Sequence, residues 1–176
     1  EPLPGTRREV ERVAALVGEG ARVFLGEQAS EAAVRSLDPG TSFLHFACHA
    51  LASAQFPMSS ALVLSAPQVG PDELLRDPNG HERDGLLQAW EVVEDLRLDA
   101  DCVVLSACST GLGREVGGEG ILGFTRAFFF AGARSVAVSL WPVADESTAA
   151  LMERFYREVL AGSPRDVALQ RAQTEL

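Results

Sequence analysis

Short apolar runs alternate with helix-patterned segments along this chain, and that order constrains the fold more than any other feature. "TRREVERVAALVG" repeats its apolar positions at helical spacing, with Thr6 and Glu9 at capping-box spacing and Gly18 as the stop. "RVFL" reads as a short strand, "SEAAVRSLDPG" as a helix capped by Ser30 and ended by Pro39-Gly40, and "SFLHFA" as a second strand. "SALVLS", residues 60–65, is a third strand, and residues 66–84 are a loop rich in Pro, Gly and Asp. "DGLLQA" is extended, "WEVVEDL" helical, and "DCVVLSA" is apolar throughout, as buried parallel strands are. There follow a helix, "GILGFTRAFFFAGA", a strand, "RSVAVSLW", a long amphipathic helix, "DESTAALMERFYREVLAG", and a last helix opening at Ser163-Pro164.

This alternation predicts an α/β fold: a mainly parallel sheet with helices on both faces. "SALVLS" and "DGLLQA" have no helix between them, which predicts a small hairpin insertion. At 176 residues the chain is long enough for one compact domain, 1–176, with a sizeable core. It begins at Glu1 without an initiator Met and stops inside the helical pattern "PRDVALQRAQTEL", so it reads as part of a longer polypeptide whose targeting signals are removed. A net charge of −10 argues against nucleic acid, because phosphate binding needs a basic surface. No apolar run approaches the roughly 18 residues of a membrane span. Three cysteines, Cys48, Cys102 and Cys108, make no disulfide framework and point to a reducing cytoplasm.

In parallel sheets, functional groups gather beyond the carboxyl ends of the strands. Three strands end in chemically useful residues: Ala47-Cys48-His49, then Ser106-Ala107-Cys108-Ser109-Thr110-Gly111, then Leu140-Trp141-Pro142. If the sheet is parallel there, the three ends share one edge. Along an extended strand His45 and His49 would share a face and Cys48 would point the other way. That alternation leaves too few convergent ligands for a metal. His49 is either a hydrogen-bonded, half-buried histidine or a catalytic base. Cys102 has the setting of a core cysteine. Cys108 sits where a strand gives way to small polar residues, so its sulfur is either packed away or turned into the crevice. There a base and amide donors would make it a nucleophile. The glycine-rich residues 111–120 lack Gly-Lys-Ser/Thr and the dinucleotide spacing, and Glu115 and Glu119 would repel phosphate. They read as a loop over the crevice rather than a cofactor cradle, and nothing in the chain calls for a cofactor. Trp141 is core or pocket wall. Asp145 serves as a helix cap, as a carboxylate in a substrate pocket, or as both.

"HFACHA", "DGLLQAWEV", "VVLSACSTGLG" and "GGEGILGFTRAFFFAGARSVAVSLWPVADEST" together resemble the CHAT domain, in order from about residue 3 to the end. CHAT domains belong to the caspase-like cysteine peptidases, with separase, gingipain and legumain. The resemblance implies a caspase-hemoglobinase-like fold, a dyad of His49 and Cys108, and an oxyanion held by the backbone amides of Ala50 and Cys108. It implies protein or peptide substrates, with Trp141 and Asp145 in the substrate pocket. By likeness to separase, Asp145 favours a basic residue before the cut. It also implies control by upstream sensor or repeat domains. The residue after the histidine is usually Gly in this group, and here it is Ala50. If that position requires positive φ, alanine would strain it, and a catalytically weak or inactive scaffold that binds partner proteins becomes the competing reading.

Overall fold

Three of the apolar runs lie side by side as parallel strands: β1 (Phe43–Phe46), β5 (Cys102–Leu105) and β6 (Val136–Val138), in the order β1-β5-β6. The computed structural model describes residues 4–66, 84–106, 119–139 and 145–176, with the side chains of 4, 119–121, 145 and 146 also outside the description. β5 is central and buried on both faces, which is why "CVVL" has no polar residue. β1 alternates instead: Leu44 and Phe46 are buried, Phe43 and His45 half-buried.

The buried face of this sheet carries the core. Leu44, Phe46, Val103 and Leu105 pack with Val92 of α3 (Ala89–Asp95) and with Phe124 and Phe128 of α4 (Glu119–Ala131). Phe128 is fully buried, its ring centroid 5.7 Å from that of Phe46. α4 stops at Gly132, which adopts φ +114. A side chain there would clash with the Leu98 carbonyl, and the Leu98 amide donates to the Ala131 carbonyl at 2.7 Å, so the helix end is closed by the segment leading into β5.

A second, antiparallel sheet has the order β2-β3-β4, formed by β2 (His49–Leu51), β3 (Ala61–Val63) and β4 (Leu86–Gln88). A short helix, α2 (Glu31–Arg35), precedes β1; the Ser30 Oγ accepts from the Ala33 amide at 3.3 Å, the cap that the sequence indicates. These elements belong to the compact unit Phe24–Pro142.

The other unit is Glu1–Val23 with Val143–Leu176. It holds α1 (Pro4–Val17), α5 (Asp145–Leu160) and α6 (Arg165–Thr174). Arg12 donates to Glu153 at 3.2 Å, joining α1 to α5, and Arg171 donates to Glu158 at 2.7 Å, joining α6 to α5. Phe155 and Tyr156 are buried and meet edge to face at 5.3 Å.

Two local expectations fail. Residues 22–25, "RVFL", belong to neither sheet and lead into a 3₁₀ turn, Gly26–Gln28. A strand needs a ladder partner, and a run of three apolar residues does not supply one. Thr6 is not a cap, because α1 already begins at Pro4. The observed architecture is therefore mixed α/β, with a parallel sheet flanked by helices.

Candidate active site

The register aligns the carboxyl ends of the parallel strands. Phe46 pairs with Leu105, and Leu105 with Val138, so β1, β5 and β6 end side by side. From β1 the chain runs through Ala47 and Cys48 to His49; from β5 it reaches Ser106, two positions before Cys108. Cys108 and Trp141 lie outside the described residues, as do most of the segments 66–84 and 111–120. Asp145 opens α5 by its backbone, and its side chain lies outside the description.

His49 does not continue the first strand. β1 ends at Phe46, the chain bends at Cys48, and His49 opens β2, paired with Val63. His45, by contrast, pairs with Val104 in the parallel sheet. The two histidines therefore sit in different sheets, and the period-two argument that placed them on one face does not apply across the bend. Cys48 packs against the main core, and loss of solvent pushes its thiol up to about 12. A thiol so held is protonated at neutral pH, which disfavours it as a nucleophile. Cys102 is buried in β5. Among the described residues no group of His, Cys, Asp or Glu is arranged to hold a metal.

Ala50 has ordinary strand geometry. No described residue other than glycine has positive φ, so alanine is unstrained after the histidine. The direction of its amide follows from the ladder. The Leu64 amide donates to the Gly85 carbonyl at 2.7 Å and the Ala89 amide to the Ser60 carbonyl at 2.9 Å. Residues 60, 62 and 64 thus turn their peptide groups toward β4, and 61 and 63 turn theirs toward β2. On β2, His49 and Leu51 face β3, and Ala50, opposite Leu62, turns its N–H and C=O away from β3, off the sheet edge.

One group of residues behind this sheet escaped sequence reasoning. Arg35, at the end of α2, donates from all three nitrogens at 2.8 Å: Nε to Asp95, one terminal nitrogen to Glu31 and the other to Glu91. Glu31 and Glu91 are almost fully buried, and each uses its other oxygen to accept a backbone amide, from Gly85 at 2.8 Å and Gln88 at 2.7 Å. Those amides flank and end β4. Burial works against the charge of Arg35, but the hydrogen bonds to Asp95 and Glu31 and the neighbouring negative charges outweigh it and hold its pKa above the ordinary value. Burial likewise pushes the Glu91 carboxyl up, the Gln88 amide offsets part of this, and the charge of Glu31 adds to the rise. Two pieces were local and readable, the i,i+4 pair Glu31–Arg35 and the capping box of Gln88 and Glu91. The contacts that join them, 56 and 60 residues apart, were not.

Among curated proteins, tetratricopeptide repeat protein 28 from Mus musculus is 29% identical over 191 residues, covering 97% of this chain and 8% of that protein. The Homo sapiens protein of the same name matches to the same extent, 29% over 191 residues, with the same coverage of 97% and 8%. The chain thus spans about 8% of the length of these relatives. No solved structure matches. Residues 1–176, the whole chain, match the CHAT domain. With the aligned strand ends and the motifs leading from them, this places the chain in the CHAT domain family, a caspase-like family.

Proposed function

We propose that the chain is a cysteine endopeptidase that works through a His49–Cys108 dyad. The observation that carries the reading is the register Phe46↔Leu105: the segments leading to His49 and toward Cys108 leave neighbouring strands at the same edge. In this mechanism the Cys108 thiolate attacks the scissile carbonyl and a C–S bond forms. The oxyanion is met by the backbone amides of Ala50 and Cys108. Collapse breaks the C–N bond, and His49 delivers a proton to the leaving amine. Water then hydrolyses the acyl-enzyme, with His49 taking its proton. The outward amide and unstrained backbone of Ala50 support the oxyanion role. The same geometry weighs against the competing reading of an inactive scaffold, which rested on strain at Ala50. Trp141 and Asp145 contact the residue before the cut, and the Asp145 carboxylate selects Arg or Lys there. Substrates are exposed protein segments in the cytoplasm. The names of the relatives, tetratricopeptide repeat proteins, support repeat domains elsewhere in the polypeptide as the regulators.

The test is substrate profiling by mass spectrometry of the full-length polypeptide against its Cys108→Ala variant, with a thiol-reactive peptide probe ending in Arg alongside. New peptide termini after basic residues that vanish in Cys108→Ala, and probe labelling that weakens in His49→Ala, support the peptidase. An activated, folded protein that yields neither termini nor labelling overturns it.

A further inference from the structure

The two edges of the small antiparallel sheet are finished differently. At the β4 edge, the amides that point away from β3 are both taken by carboxylates: Leu86 donates to Asp84 at 2.8 Å and Gln88 to Glu91 at 2.7 Å. The β2 edge carries His49 and the outward amide of Ala50. β4 is held at both ends. Its preceding residue, Gly85, is bound through its amide by Glu31, and a side chain at Gly85 would run into the Ala66 backbone at 2.9 Å. Its last residue, Gln88, is bound by Glu91. Both carboxylates are in turn fastened to one guanidinium, that of Arg35, which Asp95 fixes from the third side. The Ser65 amide donates to the Ala29 carbonyl at 2.8 Å, tying the chain before α2 to the end of β3.

We propose that Arg35, acting through Glu31 and Glu91, is a positioning residue that sets where the small sheet presents His49 and the Ala50 amide to substrate. The inference rests on the peptidase reading of the same site. Three features argue for position rather than mere stability. A planar fork with three separate partners has a single orientation, whereas apolar packing tolerates sliding. Polar networks of this kind serve best as devices that fix register. The strands β4, β3 and β2 are adjacent, so a displacement of β4 reaches β2 across about 10 Å of ladder. A misplacement of about 1 Å in a catalytic constellation costs on the order of 10²-fold in rate.

Arg35→Lys is the informative variant, because an ammonium keeps the charge but cannot reach three carboxylates in this geometry. In the full-length polypeptide, covalent labelling of Cys108 by an Arg-terminated peptidyl acyloxymethyl ketone separates probe affinity from the rate of bond formation. The expected result is a fall of at least about tenfold in the bond-forming rate, with affinity within about twofold of wild type. Glu91→Gln, which keeps an acceptor for the Gln88 amide but loses the charge, should show the same split in weaker form; it also serves if Arg35→Lys does not fold. A destabilising change in α6 of the other unit, Ala172→Gly, should move neither quantity. In a Cys108→Ala background, the imidazole ¹H–¹³C resonance of His49 should shift with Arg35→Lys and hold with Ala172→Gly. A wild-type protein that never labels sinks the peptidase reading and leaves the resonance to decide the positioning role. An unmoved His49 resonance, an unchanged bond-forming rate in a protein that does label, or an equal fall in Ala172→Gly overturns the proposal.

Discussion

At Cys48 a single burial decides the chemistry. With its thiol pushed up to about 12, Cys48 stays protonated at pH 8. In Cys108→Ala protein the remaining thiols, Cys48 and Cys102, should therefore resist iodoacetamide at pH 8 until the fold is opened with denaturant, as intact mass spectrometry will report. Rapid alkylation of folded protein at Cys48 would refute this. Ala50 permits a sharper experiment. Its amide points off the β2 edge, so proline there removes a donor without removing a ladder bond. Ala50→Pro should fold, as judged by circular dichroism, and lower probe labelling of Cys108 by on the order of 10²–10³-fold, the cost of one oxyanion donor. Ala50→Gly, which keeps the amide, should label within about threefold of wild type.

At the scale of elements, α4 fits closely against its neighbours. Its residue Gly123 lies against the 3₁₀ turn Pro57–Ser59, and a side chain there would collide with the Pro57 carbonyl. That turn follows β2 in the chain, so the contact binds the helix to the segment after His49. Gly123→Ala should destabilise by about 1–3 kcal/mol through overpacking, despite the better helix propensity of alanine. Phe128→Ala, which empties the centre of the core beside Phe46, should cost about 3–5 kcal/mol. Urea titration measures both, and a neutral Gly123→Ala would mean that the helix slides freely over the turn.

The molecule as a whole carries a net charge of −10, yet its acids do not respond to pH in one direction. Glu91 has a folded pKa above its ordinary value of 4.5, chiefly from burial. The native state therefore binds this proton more tightly than the unfolded chain. The stability it contributes is complete below 4.5 and is lost as pH rises through the folded value. Glu158 is opposite: hydrogen bonds from Arg171 and Ser163 hold its pKa below 4.5, so its contribution is present above 4.5 and is lost as pH falls. Thermal melts should show wild type gaining on Glu91→Gln as pH drops from 7 to about 4.5, and losing its lead over Glu158→Gln below about 4.5. Parallel trends in the two variants would contradict these assignments. Among the described residues no helix is long and apolar enough to cross a membrane.

Much of this protein is written locally. "FLHF" and "CVVL" name their strands because apolar runs bounded by turn residues have few other uses, and the Ser30 cap is a contact three residues long. The motifs on which the proposed His49–Cys108 dyad rests are contiguous stretches, so they are legible without coordinates. The register of β1 on β5, the bend at Cys48 that sends His49 into another sheet, the outward turn of the Ala50 amide and the joining of Glu31, Arg35, Glu91 and Asp95 belong to the tertiary structure alone. The reason is physical. Periodicity records which face of a segment is apolar, whereas ladder partners and buried ion pairs form between groups distant in the chain, and their selection depends on the whole fold.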